Sequence, residues 1–205
     1  MTKMTPAQSA RFDEMIAFLA SVYPISTALK AAIKAKVRFL KVRKGQHLLR
    51  AGEINRDLYF ISKGLLRCYY YTQDGTEVST WFMWEYDTCV SINSFYAQIE
   101  GYEYIQAIEP SELICISYED LKEIYLTHIE FNYIRAELTI KYLIDWSNQL
   151  KDIRLLETED RYKALLKRDP ARVQRINKKY LASFLNMVPT SLSRSTKPPG
   201  KKRGE

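Results

Sequence analysis

The segment 37–116 consists of short β-rich runs separated by turn residues, and this pattern restricts the fold more than any other feature of the chain. Asp74-Gly75 lies between two such runs and favours a tight hairpin turn, because this dipeptide accepts positive backbone φ angles. Gly64 ends an apolar run, and Glu109-Pro110 separates the last two runs. Many short strands with turn signals at this spacing predict a small β-sandwich or β-roll.

Helical periodicity surrounds this β-rich segment on both sides. Pro24 separates two amphipathic helices that precede it, and Ser26 is suited to cap the second of them. The predicted helices cover residues 7–20, 27–35, 121–125, 131–156 and 159–167. No apolar run approaches the ~20 residues that a membrane-spanning helix needs, so we expect a cytoplasmic protein with no membrane partner.

The predicted helix 131–156 carries an apolar seam with heptad spacing. Its members recur at alternating intervals of 3 and 4 residues: Ala136, Thr139, Leu143, Trp146, Leu150 and Ile153. Such a seam lets a helix pair with a second copy of itself, so the last five of these residues are predicted to form a homodimer interface. The alternative is that the helix packs against its own β-domain, to which Tyr142 and Ile144 would contribute.

The stretch 177–194 has the pattern of a helix, a tight turn and a second helix. Asn177 can cap the first helix, and Asn186 lies where the turn needs a residue that tolerates a left-handed backbone. Pro189 suits the first position of the second helix, since its missing N–H needs no partner there. An ordinary helical hairpin would show the same spacing, so the pattern by itself leaves both interpretations open.

Positive charge is unevenly distributed along the chain. Residues 150–205 contain 15 Lys+Arg and 6 Asp+Glu, a net +9, whereas residues 1–149 contain 16 and 18, a net −2. The excess lies in the part that contains the helical pair, which favours a polyanionic partner for that part alone. A solvated basic face is the alternative interpretation.

The residue inventory argues against the usual catalytic and redox centres. An iron–sulfur cluster needs about four clustered thiolates, and Cys68, Cys89 and Cys115 are widely separated in the sequence. His47 and His128 are the only histidines, which are too few for a haem site or a cupin-type metal centre. We therefore expect no cofactor, no metal and no enzymatic activity, and we expect buried, reduced cysteines.

Several motifs occur in a fixed order between about residues 37 and 194. They are Gly45, Ala51-Gly52-Glu53, the run 58–64, Arg67, Asp74-Gly75, Ile116-Ser117-Tyr118, and the runs 155–162, 180–185 and 190–194. In this order they resemble the Crp/Fnr superfamily, the group of the cyclic-AMP receptor protein and the fumarate–nitrate regulator, and especially its short members from Bacteroidetes-like bacteria.

The resemblance implies an α+β fold. It begins with a double-stranded β-helix, a jelly roll of the cyclic-nucleotide-binding kind, and continues with a long dimerisation helix and a C-terminal helix-turn-helix that has a truncated end and no evident wing. The predicted domains are 1–130 for the N-terminal helices and β-roll, 131–156 for the dimerisation helix, 157–196 for the helix-turn-helix domain, and 197–205 for a basic disordered tail.

The resemblance weakens in the segment that would bind a ligand. Relatives that bind cyclic nucleotides carry an arginine that neutralises the cyclic phosphate, whereas this chain has no arginine between Arg67 and Arg135. Loss of such a charge-assisted contact is worth roughly 1.5–3 kcal/mol, which argues against cyclic AMP. An unidentified small-molecule effector and a filled, ligandless core both stay open. An effector pocket would include Trp84, Ser91, Asn93, Phe95, Tyr102 and Tyr104.

These features predict a homodimeric, sequence-specific DNA-binding transcriptional regulator. Its partner is double-stranded DNA, with RNA polymerase as a further candidate. Arg194 is assigned to a base edge, and the other predicted DNA-binding residues are Lys178, Lys179, Thr190, Ser191 and Ser193. The alternative is a dimeric ligand-binding or protein-interaction module with a degenerate DNA-binding end, because Pro198-Pro199 must end the second helix early.

Overall fold

The computed structural model describes residues 4–195. The predicted tail 197–205 lies outside this range, as does the chain after residue 195, where a wing would begin. The chain divides into two compact units, one formed by residues 4–70 and 80–142 and the other by residues 71–79 and 143–195. The predicted domain limits near 130 and 156 stay predictions.

The described residues form the predicted strands and helices in the predicted order, with three further short elements among them, one strand and two helices. The strands are β1 Arg38–Val42, β2 His47–Leu49, β3 Asp57–Lys63, β4 Leu66–Tyr71, β5 Glu77–Met83, β6 Thr88–Cys89, β7 Tyr104–Ala107 and β8 Ser111–Ser117. The helices are α1 Pro6–Val22, α2 Thr27–Lys36, α3 Ile92–Ala97, α4 Tyr118–Thr127, α5 Ile129–Leu155, α6 Thr158–Arg168, α7 Pro170–Val173, α8 Lys178–Phe184 and α9 Pro189–Ser195.

The strands make two four-stranded sheets, with the orders β1-β8-β3-β6 and β2-β7-β4-β5. Their facing sides enclose an apolar core in which Ile61, Leu66 and Ile105 are fully buried. Gly64, at the end of β3, has φ 108° and lies so close to Ser111 that an added Cβ would be 2.1 Å from its Oγ. Only glycine fits this turn, because side chains rarely adopt such a φ and have no room here. The mixed fold with a β-roll and a long helix agrees with the predicted α+β class.

A second core lies on the outer side of the first sheet, where α1, α2 and α4 cover it. Phe12, Leu29 and Ile124 are almost fully buried there, together with Phe60 of β3. Ser26 caps α2 as predicted, because its side chain accepts a hydrogen bond from the Leu29 N–H at 3.0 Å. The N-terminal helices are therefore part of the packed body of this unit.

Two short helices were not predicted from the sequence. Helix α3 has six residues and ends at Gln98, whose φ is 52°, and α7 has four residues after Asp169. Segments this short carry too few apolar residues to show a 3.6-residue period. No helix in the described part of the chain is both long and apolar enough to cross a membrane.

Candidate functional site

Helix α8 begins as the sequence predicts. The Asn177 side chain accepts a hydrogen bond from the Lys179 N–H at 2.9 Å, so it satisfies one of the unpaired donors at the start of the helix. Leu181 and Leu185 of the predicted apolar stripe are buried, while Tyr180 and Phe184 are half-buried. The stripe therefore faces the core of this unit.

The turn after α8 depends on one residue with a left-handed backbone. Asn186 has φ 52°, which confirms the conformation expected from its sequence position. The Met187 N–H donates to the Ala182 carbonyl at 2.9 Å, and this bond closes the end of the helix. Asparagine is among the few residues other than glycine that adopt this conformation at low energy.

Arg161 of α6 holds the same turn from the side. Its Nη1 donates to the carbonyl oxygens of Leu185 and Asn186, each at 3.2 Å, and its Nε donates to the Leu156 carbonyl at 3.1 Å. These carbonyls lie at helix ends and have no intrahelical partners. This role was not predicted from the sequence, although Arg161 lies within one of the motifs that carry the family resemblance.

The side chains of helix α9 differ in exposure to solvent. Leu192 is fully buried, Thr190 and Ser193 are exposed, and Ser191 is half-buried. Pro189 is the first residue of the helix, as predicted. The backbone of Arg194 belongs to α9, but its side chain lies outside the described part of the structure. Lys178 and Lys179, at the start of α8, are both exposed.

A compact apolar core supports α8 and α9. Its buried members come from α7, α8, α9 and the loops between them: Val173, Ile176, Leu181, Ala182, Leu185, Met187 and Leu192. Two of the predicted DNA-binding positions on α9, Ser191 and Ser193, flank Leu192, whose burial anchors the helix on this core. The exposed Lys178, Lys179, Thr190 and Ser193 thus lie on the two helices that this core supports.

The predicted dimer seam on α5 lies mainly at the surface of the single chain. Leu143 is 59% exposed and Trp146 is 54% exposed, Thr139 is exposed, and Leu150 and Ile153 are half-buried. Ile144 is also 55% exposed, whereas the Tyr142 hydroxyl accepts a hydrogen bond from the Thr88 N–H at 2.9 Å. Of the two side chains that the alternative assigned to the β-domain, only Tyr142 packs there.

The six residues of the predicted effector pocket differ in burial and in their contacts, and the pocket itself stays a prediction. Phe95 is fully buried in the outer core, with its ring edge-on to Tyr118, and Tyr104 stacks on Tyr69 at 4.9 Å. Asn93 is exposed and Tyr102 is 61% exposed, while Trp84 is half-buried and Ser91 is buried.

Ser91 instead belongs to a tight polar network. Its N–H donates to Asn55 Oδ1 at 2.7 Å, and its hydroxyl donates to Glu103 Oε2 at 2.7 Å. The Asn55 N–H donates to Ser94 Oγ at 2.9 Å, and the Thr80 hydroxyl lies 3.4 Å from Glu103 Oε1. The Glu103 carboxylate is therefore held between the hydroxyl groups of Ser91 and Thr80. Glu103 was not among the residues predicted from the sequence.

The cysteines are free and buried, as expected. Burial raises the pKa of the Cys89 thiol well above its ordinary value, and a hydrogen bond with Cys68 adds to this effect. Burial also raises the pKa of Cys115 to about 11. Thiols with raised pKa values are poor nucleophiles. Within residues 4–195, no three His, Cys, Asp or Glu side chains group in a way that could hold a metal ion.

Residues 39–128 match the family of the cyclic nucleotide-binding domain. No curated protein matches the chain. Among solved structures, the c-di-GMP-responsive global regulator CLP of Xanthomonas campestris is similar, with TM-score 0.67 and 16% identity over 83% of this chain and 89% of its own.

Two further solved structures are similar over most of their lengths. A transcriptional regulator of the Crp/Fnr family from Eubacterium rectale has TM-score 0.68 and 20% identity, over 83% of this chain and 82% of its own. FixK2 from Bradyrhizobium japonicum has TM-score 0.65 and 15% identity, over 78% of this chain and 82% of its own. Residues 39–128 thus match the cyclic nucleotide-binding domain family, in a chain that has the fold of the Crp/Fnr transcriptional regulator from Eubacterium rectale.

Proposed function

We propose that the protein is a homodimeric transcriptional regulator that binds specific DNA sequences through α9 and the start of α8. The observation that carries this proposal is the difference in exposure along α9: Leu192 is fully buried, whereas Thr190 and Ser193 are exposed. Short hydroxyl side chains on a helix anchored this way can contact phosphates and base edges in a major groove.

Charge supports a nucleic-acid partner. Lys178 and Lys179 are exposed at the start of α8, two residues of the C-terminal segment whose net charge is +9. Lysines at such positions neutralise phosphates and release counterions, which supplies affinity without sequence preference. Arg194 is the proposed base-contacting residue, since arginine forms bidentate hydrogen bonds with guanine.

The dimer follows from α5. In a single chain, Leu143 and Trp146 of α5 are more than half exposed, which leaves an unfavourable apolar surface in water. The heptad spacing of the α5 seam suits pairing with a second copy of the helix. A two-fold dimer would place two α9 helices about one DNA turn, roughly 34 Å, apart on a pseudo-palindromic site. RNA polymerase as a further partner and a cytoplasmic location stay predictions.

The β-roll is proposed as a sensor-like domain that does not bind cyclic AMP. Glu103 accepts a hydrogen bond from Ser91 in the segment that would bind a ligand, and its negative charge would repel a cyclic phosphate there. Arg67, the nearest preceding arginine in the sequence, is buried and donates two hydrogen bonds to Gln106 Oε1, at 3.0 and 2.8 Å. Its guanidinium also stacks on the Tyr69 ring at 4.0 Å.

Fluorescence anisotropy with the DNA upstream of the protein's own gene tests the proposal. We expect saturable binding that survives ~150 mM salt and exceeds binding to random DNA of equal length, because purely electrostatic contacts weaken steeply at that salt concentration. Equal affinity for both DNAs would favour the alternative, a dimeric ligand-binding or protein-interaction module with a degenerate DNA-binding end. Adding cyclic AMP should leave both affinities unchanged.

A further inference from the structure

Helix α5 exposes more apolar side chains than its predicted heptad seam contains. Those that are at least half exposed along the helix are Ile129, Tyr133, Ile140, Leu143, Ile144, Trp146 and Leu155. Only Leu143 and Trp146 belong to the seam predicted from the sequence. Tyr133 stacks on Tyr23 of the same chain, with ring centroids 4.9 Å apart, and is still 53% exposed. The predicted seam therefore does not account for the exposed apolar face of α5.

Another side of the first half of α5, residues 129–142, packs against its own unit. Ile134 is fully buried in the outer core, Leu138 packs against that core, and the Tyr142 hydroxyl accepts from the Thr88 N–H at 2.9 Å. These three residues of α5 recur at intervals of four and so share one side of the helix. Ile140 follows Ile134 by six residues, which places it about 120° away around the helix axis. Ile140 therefore lies on a side that this core does not cover.

Two heptad frames run along α5 and have Ala136, Leu143 and Leu150 in common. The first frame adds Asn132, Thr139, Trp146 and Ile153, whereas the second adds Tyr133, Ile140, Ser147 and Arg154. Before Leu143 the second frame is therefore the apolar one, and after Leu143 the first frame is. Pairing of two helices favours apolar side chains at both repeating positions of a heptad. The most favourable seam thus changes frame at Leu143.

We propose that a second copy of α5 packs along a composite seam, which uses the second frame before Leu143 and the first frame after it. Its members are Tyr133, Ala136, Ile140, Leu143, Trp146, Leu150 and Ile153. This inference rests on the proposed dimer and deepens it, because it assigns Tyr133 and Ile140 to the interface and removes Thr139 from it.

The change of frame has a structural consequence. The steps from Ile140 to Leu143 and from Leu143 to Trp146 are both three residues long, a stammer, which overwinds a coiled coil locally. The boundary between the two compact units falls at the same place, between Tyr142 and Leu143. The second-frame part of the composite seam therefore belongs to the unit of the β-roll, and the first-frame part belongs to the unit of the helical pair.

An unbroken first frame would be less favourable in the first half of α5. On pairing it would bury Thr139 and leave Ile140 in water, although both are exposed in the single chain. Burying a polar side chain without a partner costs free energy, whereas burying Ile140 removes apolar surface from water. Asn132 of the first frame is already engaged in its own chain, since its Nδ2 donates to the Tyr125 carbonyl at 2.8 Å.

Charged side chains of the first half avoid the pairing face. Glu130, Arg135, Glu137 and Lys141 lie off both frames. A charge at a position that pairing buries would be strongly unfavourable unless it found a partner. The distribution of charge therefore favours a second helix of the same kind as the occupant of this face.

Two neighbouring substitutions test the composite seam, because Thr139 and Ile140 are adjacent and both exposed. Ile140→Asp should raise the dimer dissociation constant about a hundredfold or more, since it places a carboxylate in the seam. Thr139→Asp is the matched control and should raise it less than about fivefold. Sedimentation velocity over a concentration series measures the constant for the full chain. Circular dichroism and thermal unfolding show whether each variant is folded.

Cysteine cross-linking gives a second measurement that does not introduce charge. Parallel helices related by a two-fold axis bring the same seam position of both copies face to face, so Ile140→Cys should form a disulfide-linked dimer under copper–phenanthroline oxidation. Thr139→Cys should cross-link much less. The parent protein is the control, since Cys68, Cys89 and Cys115 are buried.

Two results would overturn the composite seam while leaving the proposed dimer intact. One is a folded Thr139→Asp variant that weakens the dimer as much as Ile140→Asp does. The other is efficient cross-linking through Thr139→Cys without cross-linking through Ile140→Cys. A parent protein that stays monomeric at all concentrations would refute the proposed dimer and the seam together, and would leave this face to a partner of another kind.

Discussion

The guanidinium of Arg161 donates a hydrogen bond to the Leu185 carbonyl at 3.2 Å across a sequence separation of 24 residues. It donates a second bond to the Asn186 carbonyl, also at 3.2 Å. One charged side chain of α6 therefore fixes the turn that sets the direction of α9. Hydrogen bonds that involve a charged group contribute more than neutral ones, so this residue connects the stability of the unit with the geometry of its proposed DNA surface.

Replacing Arg161 by methionine should destabilise the second unit by about 1–3 kcal/mol, because several carbonyls lose their donor while the side-chain volume is roughly kept. Urea unfolding followed by circular dichroism measures the free energy of unfolding. Lys167→Met, at an exposed position of the same helix, is the control and should change stability by less than about 0.5 kcal/mol. Equal losses in both variants would show that the turn does not depend on Arg161.

Asn186 offers a test of the turn itself. Its φ of 52° suits glycine and opposes a β-branched side chain. Asn186→Gly should therefore keep the stability and the DNA affinity of the parent, whereas Asn186→Val should cost about 1–2 kcal/mol of unfolding free energy. Thermal unfolding of the pair decides the matter, since a valine variant as stable as the glycine variant would exclude strain at this position.

The elements that the sequence predicted well are those whose signals are local. The Asn177 cap, the left-handed Asn186 and the first position of Pro189 each follow from the preference of one residue type, and the structure confirms all three. The Ser26 cap was predictable for the same reason. Caps and turns depend on a few adjacent backbone groups, so one sequence suffices to locate them.

The elements that escaped prediction depend on residues far apart in the chain. Glu103 meets Ser91 only because α3 and the following loop return to the start of β7. Arg161 contacts a turn that lies 24 residues later in the chain, and such a contact leaves no periodic pattern in the sequence. Contacts between residues so far apart in the chain can be located only when the fold is known.

The α5 seam predicts a dimer that a single charge should break. Leu143→Asp would place a carboxylate in an apolar seam, and we expect the dimer dissociation constant to rise about a hundredfold or more. Sedimentation velocity over a concentration series measures it. Lys151→Glu, at an exposed position off the heptad seam, should leave the dimer intact. A parent protein that is monomeric throughout, or a Leu143→Asp variant that dimerises normally, would contradict the proposed interface.

Two substitutions should separate sequence recognition from phosphate contact. Arg194→Ala should cost about 1–3 kcal/mol on the specific site and relax the preference for one base pair. Lys178→Ala should weaken specific and random DNA alike and reduce the salt slope by about 1. Anisotropy titrations over a salt series measure both quantities. Equal weakening of both DNAs by Arg194→Ala would remove that residue from base recognition.

Part of the unfolding free energy of the first unit should depend on pH through the ionisation of Asp120. The Ser117 hydroxyl, 2.6 Å from Asp120 Oδ2, holds the pKa of this carboxyl below its ordinary value of 3.8, and Lys36, at 3.0 Å from Oδ1, adds to the effect. Because the pKa is lowered in the folded state, the stabilisation is complete above the ordinary value and is lost as the pH falls through the folded-state value.

Asp120→Asn keeps an acceptor for Ser117 but removes the charge near the start of α4 and the pairing with Lys36. We expect a loss of about 0.5–1 kcal/mol near pH 7, since the pair is partly exposed and screened. The difference between parent and variant should shrink as the pH falls below about 4. Glu119→Gln, in the same first helical turn and exposed, is the control for the helix dipole alone. Urea unfolding at a series of pH values measures both variants, and a difference that persists unchanged into acid would contradict the charge-dependent role of Asp120.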